Sequence, residues 1–310
     1  MKQFTSVSDV IDVPQLIEAV RSMKGTQQLD FAKGKNLAML FFNPSLRTRM
    51  STQAAAYNLG MTVSTLDAHQ GWKLETEVGA IMNGDAQEHL QDAIRVMSSY
   101  TDILAIRSFA NLQLQLDDYA ETLLNACIQY SDKPVISLES AIRHPLQSLT
   151  DMVTIVELGI KKPKIAVTWA PHPKALPQAV VNSFLEWTPF LEADVWLAHP
   201  EGYELDAQFS TYAHVTHNQQ EAMQDADIVY CKNWSSVTHY GQRLEGNDQW
   251  TIDAQKMALT NKAHFMHCLP IRRNVVATDD VINDSIVYRQ AENRIWSAQT
   301  VLHQLLSSCS

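Results

Sequence analysis

The sequence predicts an α/β fold of two domains, each a parallel sheet flanked by helices. Its 310 residues exceed the size at which one hydrophobic core keeps growing, so two domains of about 150 residues each are expected. Short apolar runs alternate with longer stretches of helical character, and the second half of the chain repeats the rhythm of the first. That alternation favours parallel strands joined by helical crossovers.

Residues 37–42 are an apolar run ending at Asn43-Pro44, and residues 47–58 favour a helix with no Gly or Pro before Gly60, which reads as strand, turn, helix. Strand patterns follow at 61–66, 102–106 and 134–138, with helices at 89–100 and 114–130 between them. The second half carries helices at 147–158, 176–187 and 219–224 and strands at 164–169, 194–198, 227–231 and 263–269. The expected domains are 1–143 and 144–290, joined near 139–150. The C-terminal stretch 291–310, with an amphipathic helix at 291–306, packs back on the first.

Composition narrows the function. Charged residues at 19% and hydrophobic ones at 45% mark an ordinary globular chain, and no apolar run approaches the ~20 residues of a bilayer span. The N-terminus lacks the basic-then-apolar profile of a secretory signal, so a cytoplasmic location is expected. Cys127, Cys231, Cys268 and Cys309 show no CxxC spacing, which suggests reduced thiols and no zinc site. Glu88-His89 offers no ligand pair at helical spacing, and no metal or other cofactor is expected. A net charge of -10 disfavours nucleic acid, so an anionic substrate must be held by a local cationic cluster.

Such a cluster opens the helix after the first strand. Asn43-Pro44-Ser45-Leu46-Arg47-Thr48-Arg49 sets two hydroxyls and two guanidiniums where unpaired N–H groups and the helix dipole favour a phosphate. Arg47 and Arg49 cannot share one helix face, so Arg47 is assigned to the ligand and Arg49 to bracing. The plain alternative is a Ser N-cap before a solvated basic turn. Ser45, Arg107, His144, Lys232 and Cys268 all fall at or just past expected strand ends, where open α/β sheets bind ligands.

The 45–49 run resembles the Ser-Thr-Arg-Thr-Arg phosphate motif of the aspartate and ornithine carbamoyltransferases, with Leu46 replacing the first Thr. His144-Pro145-Leu146-Gln147 resembles the element that holds the carbonyl oxygen and amide nitrogen of the carbamoyl group. The segment ending at Arg107 resembles the strand whose Arg bridges phosphate and carbonyl, and His267-Cys268-Leu269-Pro270 resembles the ornithine-side signature. The resemblance spans the whole chain, including Glu292-Asn293-Arg294, where Arg294 would reach carbamoyl phosphate. It implies the carbamoyltransferase fold, a knotted chain path near the Pro-rich loop 171–177, and a homotrimer with active sites at subunit interfaces. Gly71-Trp72-Lys73 falls where acylornithine members place a Trp in the neighbouring subunit's site; alone, Trp72 reads equally as a core or interface aromatic.

Ornithine carbamoyltransferases grip the α-ammonium with an acidic Asp-x-Trp-x-Ser-Met element, where this chain has Cys231-Lys232-Asn233-Trp234-Ser235. A lysine there would repel an ammonium by roughly 1 to 4 kcal/mol at contact and would welcome a carboxylate. An acylated α-nitrogen removes the conflict, with Glu139 a candidate acceptor for its amide N–H. The chain resembles the N-acetylornithine and N-succinylornithine branch, which implies His172 and Lys232 on the acylated amino acid, Asn182 at its carboxylate end, and Cys268 and Leu269 at the reacting amine. Gln87 stands where acetyl enzymes carry Glu and succinyl enzymes Pro, while the apolar Val276 is similar to the succinyl type. A succinyl carboxylate has Lys232, His172 and Arg272 as candidate partners.

The expected reaction is direct attack of the δ-amine of N-succinyl-L-ornithine on carbamoyl phosphate, a step of arginine biosynthesis. Arg107, His144, Gln147 and Cys268 are the candidate catalytic residues. Ser45, Leu46, Arg47, Thr48, Trp72, Leu269 and Arg294 join the first three on carbamoyl phosphate. N-acetyl-L-ornithine is the alternative acceptor, and a non-catalytic anion-binding relative is the alternative of another class. No GxGxxG follows an expected strand, which disfavours a nicotinamide-dependent dehydrogenase.

Overall fold

A computed structural model describes residues 1–68 and 72–308; Gly71, in the Trp72 loop, and Cys309 lie outside the described residues. The chain forms two compact units: Met1–Ala110 with Asp117–Leu146 and Arg294–Ser310, and Asn111–Leu116 with Gln147–Asn293.

The elements run α1 Val13–Met23, β1 Asn36–Phe41, α2 Leu46–Asn58, β2 Thr62–Asp67, β3 Leu74–Glu75, β4 Glu88–His89, α3 Leu90–Tyr100 and β5 Ile103–Arg107. Next come α4 Gln115–Tyr119, α5 Thr122–Tyr130, β6 Val135–Glu139, α6 Pro145–Val156, β7 Lys164–Trp169, α7 Ala179–Trp187 and β8 Asp194–Ala198. The chain continues through α8 Ala207–Ser210, β9 His214–Thr216, α9 Gln219–Met223, β10 Ile228–Lys232, α10 Ala254–Met257, β11 His264–Met266, α11 Asp279–Asn283 and α12 Val287–Ser308.

In the first unit a parallel sheet of order β2-β1-β5-β6 has β1, β5 and β6 almost wholly buried, as continuous apolar runs require when helices cover both faces. Phe4 bridges to Ile136 and extends the sheet beyond β6. The second unit is a parallel sheet of order β11-β10-β7-β8-β9. Each sheet brings its carboxyl-terminal strand ends to one edge, and all five strand-end residues named above lie at such ends: Arg107 and Lys232 close β5 and β10, while Ser45, His144 and Cys268 follow β1, β6 and β11.

Three expectations need correction. The helix expected at 114–130 is broken into α4 and α5, because Glu121 adopts φ 46°, a left-handed turn that no Gly or Pro announced. The strand expected at 263–269 stops at Met266, before the left-handed Leu269 and the cis Leu269-Pro270 bond. Helix α1 was not anticipated, although its signals are present: Asp12 caps Gln15 N at 2.8 Å, Pro14 sits in the first turn, and Val13, Leu16, Ile17 and Val20 make one buried stripe.

Candidate functional site

In the first unit the anion residues converge. Ser45 is the N-cap of α2, its Oγ accepting the Thr48 N–H at 3.3 Å. Thr48 Oγ1 in turn accepts from Arg294 Nη2 at 2.8 Å and from Arg107 Nη1 at 3.5 Å. Arg107 Nη1 also donates to Glu139 Oε2 at 2.5 Å, and His144 Nε2 stands 3.4 Å from the same oxygen. Thr48, Arg107, Glu139, His144 and Arg294 are all buried.

Two guanidiniums and one carboxylate around a helix N-terminus leave a local excess of positive charge out of water, where it acts strongly on an anion. Arg107 Nε is buried with no hydrogen-bond partner among the described residues. Such an orphan donor is costly unless something accepts from it. Phe109 lies beneath the guanidinium, 4.3 Å from its Cζ, and holds it flat.

Arg49 stacks on Phe41 at 4.7 Å, which is bracing, while Arg47 is half-buried in the first turn of α2. Leu46 is 68% exposed, so the part of it placed for a phosphate is its first-turn backbone N–H. Trp72 is exposed and donates its indole N–H to Glu88 at 2.7 Å. Gln87 ties the neck of the same loop: its Oε1 accepts the Lys73 N–H at 2.7 Å and its own N–H reaches Lys73 O at 3.0 Å.

Glu139 was expected to accept an acyl amide N–H. In this structure its Oε2 is the ion-pair partner of Arg107 and stands beside His144 within the first unit.

In the second unit Arg272 Nε donates to His172 Nε2 at 3.1 Å. His172 Nδ1 lies 2.8 Å from Lys174 O and 3.1 Å from the Lys174 N–H. Burial, and after it the charges of Lys232, Arg272 and Lys174, hold the His172 pKa below the ordinary histidine range, against the raising effect of the Lys174 hydrogen bond. His172 is thus a neutral ring inside a cationic group. It lines a cavity of about 450 Å³ in which three guanidiniums, Arg243, Arg272 and Arg273, outnumber the one carboxylate among the described residues, Asp248. Sequence reasoning missed Arg243, because an isolated Arg in a polar loop carries no pattern.

Asn182, on α7, is fully buried, and neither of its amide atoms has a hydrogen-bond partner among the described residues. Asn233 follows β10 and donates to Ala170 O at 2.7 Å, holding the turn after β7 against Lys232. Beyond β11, Cys268 is 9% exposed and Leu269 has φ 56°, a left-handed strain for a branched residue that only a determined surrounding maintains. The Leu269 N–H donates to His267 Nδ1 at 2.9 Å, and the His267 N–H to Gln290 Oε1 at 3.0 Å. Gln147, 1% exposed, donates its Nε2 to Asp151 Oδ1 at 2.7 Å. Burial pushes the Cys127 thiol up to about 12 and Cys231 higher still, which leaves both inert.

Two family models match the chain: the aspartate/ornithine carbamoyltransferase carbamoyl-P binding domain over residues 2–157, and the Asp/Orn binding domain of the same enzymes over residues 177–305. The N-succinylornithine carbamoyltransferase of Bacteroides thetaiotaomicron is 51% identical over 314 residues, covering 99% of each chain. The N-acetylornithine carbamoyltransferase of Xylella fastidiosa is 33% identical over 334 residues, again covering 99% of each. Among solved structures, a variant of N-acetyl-L-ornithine transcarbamylase complexed with carbamyl phosphate and N-succinyl-L-norvaline superposes with a TM-score of 0.92 at 31% identity, covering 98% of this chain and all of that one.

Proposed function

The chain belongs to the aspartate/ornithine carbamoyltransferase family, and within it we propose that it transfers the carbamoyl group of carbamoyl phosphate to the δ-amine of N-succinyl-L-ornithine. The products are N-succinyl-L-citrulline and phosphate. The observation that carries the acceptor choice is the cationic group that Lys232, Arg272 and Arg243 make around the neutral His172 ring in the second unit. An α-ammonium would be repelled there, and a substrate that presents carboxylates and a neutral amide would be held.

The neutral δ-amine attacks the carbamoyl carbon. A C–N bond forms, the C–O bond to phosphate breaks with its electron pair going to the leaving phosphate, and the amine gives up a proton to that phosphate. Charge that builds on the carbonyl oxygen and phosphate meets the preorganised donors of Ser45, Thr48, Arg107, His144 and Arg294, with Arg47 and the Leu46 N–H at the helix start. Donors of this kind contribute about 3 kcal/mol each in comparable sites. Gln147 takes the carbamoyl N–H, and Cys268 with Leu269 orients the amine. Asn182 supplies its unpaired amide to the amino-acid carboxylate. Trp72 and Gln87 belong to the loop that completes the site in a homotrimer, Trp72 acting on the neighbouring subunit.

The test is to offer carbamoyl phosphate with ornithine, N-acetylornithine, N-succinylornithine or aspartate in separate reactions and to identify products by mass. N-succinylcitrulline should form fastest. Faster carbamoylation of free ornithine would overturn the acceptor argument, and no product from any of the four would favour an anion-binding protein without catalysis.

A further inference from the structure

Behind Gln147 lies a carboxylate that the mechanism above does not use. Asp151, one turn further along α6, is fully buried, as are Gln147, Tyr230 and Gln290 around it. Its Oδ1 accepts from Gln147 Nε2 and from Gln290 Nε2, each at 2.7 Å, and its Oδ2 accepts from the Tyr230 hydroxyl at 2.8 Å. A carboxyl oxygen that receives two N–H groups is acting as an acceptor toward both. Both glutamines must therefore turn their NH2 groups toward it and their carbonyl oxygens away.

Gln290 shows the consequence directly, because its outward Oε1 accepts the backbone N–H of His267, the residue before Cys268. The same rule applied to Gln147 leaves its Oε1 as the outward group. That is the polarity needed to accept an N–H of a carbamoyl NH2; the opposite flip would set two donors against each other.

We propose that Asp151 is a positioning residue that fixes the amide orientation of Gln147 toward the carbamoyl group. This rests on the transfer reading given above. The Gln147 amide then need not find its orientation when substrate arrives.

A double-mutant cycle tests it with Asp151→Asn, which keeps the shape and packing of the side chain but adds a donor. The variant lets Gln147 present either face, and kcat/KM for carbamoyl phosphate should fall about tenfold, the scale of one hydrogen bond lost or reversed. In a Gln147→Ala background the same substitution should cost less than about twofold, because the group it acts through is gone. Asp151→Asn with undiminished kcat/KM, or an equal loss in both backgrounds, overturns the positioning role while leaving the transfer reading intact. A parent chain that forms no carbamoylated product overturns the transfer reading and this role with it.

Discussion

In the proposed function the acceptor preference turns on Lys232. It ends β10 beside His172, and its charge is one of the causes that hold the imidazole pKa down. Replacing Lys232 with Gln removes a charge-assisted hydrogen bond to a carboxylate, worth about 1.5–3 kcal/mol, so kcat/KM for N-succinylornithine should fall by about 10- to 100-fold. The same substitution removes a cation from beside His172, which favours the protonated ring. The His172 titration should then move up toward the ordinary histidine range, and NMR of the ring protons reads that shift independently of turnover. A titration that stays in place would mean that Lys232 and His172 do not share one electrostatic site.

At the scale of elements, the strand ends were the most legible feature. β1, β5 and β6 are continuous apolar runs buried on both faces, and such runs announce themselves within a residue of their observed limits. β9 was not anticipated because its three residues, His214–Thr216, sit at the sheet edge with little burial and no apolar signal. The proposed anion residues were legible through resemblance, since by themselves hydroxyls and guanidiniums at a helix start read equally as an N-cap and a solvated basic turn, and Ser45 is indeed the N-cap of α2. The Asp151 group was not, since an i, i+4 pair of Gln147 and Asp151 inside an apolar helix looks like any solvent-facing pair until burial is known. Gly60 shows an element boundary set by backbone alone. It has φ 80°, and an added Cβ would lie 1.8 Å from Leu29 O, so α2 can turn into β2 only with glycine at this place. Gly60→Ala should lower stability by about 2 kcal/mol or more, combining the left-handed penalty with a backbone clash. Thermal or urea unfolding checks this, and an unchanged midpoint would contradict the clash.

At the scale of the whole molecule, the first unit carries an apolar face that a partner must cover. Leu46, Met50 and Tyr57 are 68%, 64% and 63% exposed, and their spacing of four and then seven residues puts them on one face of α2. The strand that follows, β2, is the edge of its sheet and is mostly exposed along both faces. An apolar helix stripe next to an open strand edge is a surface that proteins ordinarily bury against a partner. The proposed homotrimer supplies one of the right kind, a second copy of the same chain. Light scattering should give the mass of three 34.9 kDa chains. Met50→Glu combined with Tyr57→Glu, which leaves the anion residues untouched, should reduce the particle to a single chain. If Trp72 acts on its neighbour, turnover should fall in step with that dissociation. A parent protein that runs as one chain and still transfers the carbamoyl group would refute both the trimer and the role of Trp72, and would leave the apolar face of α2 for some other partner.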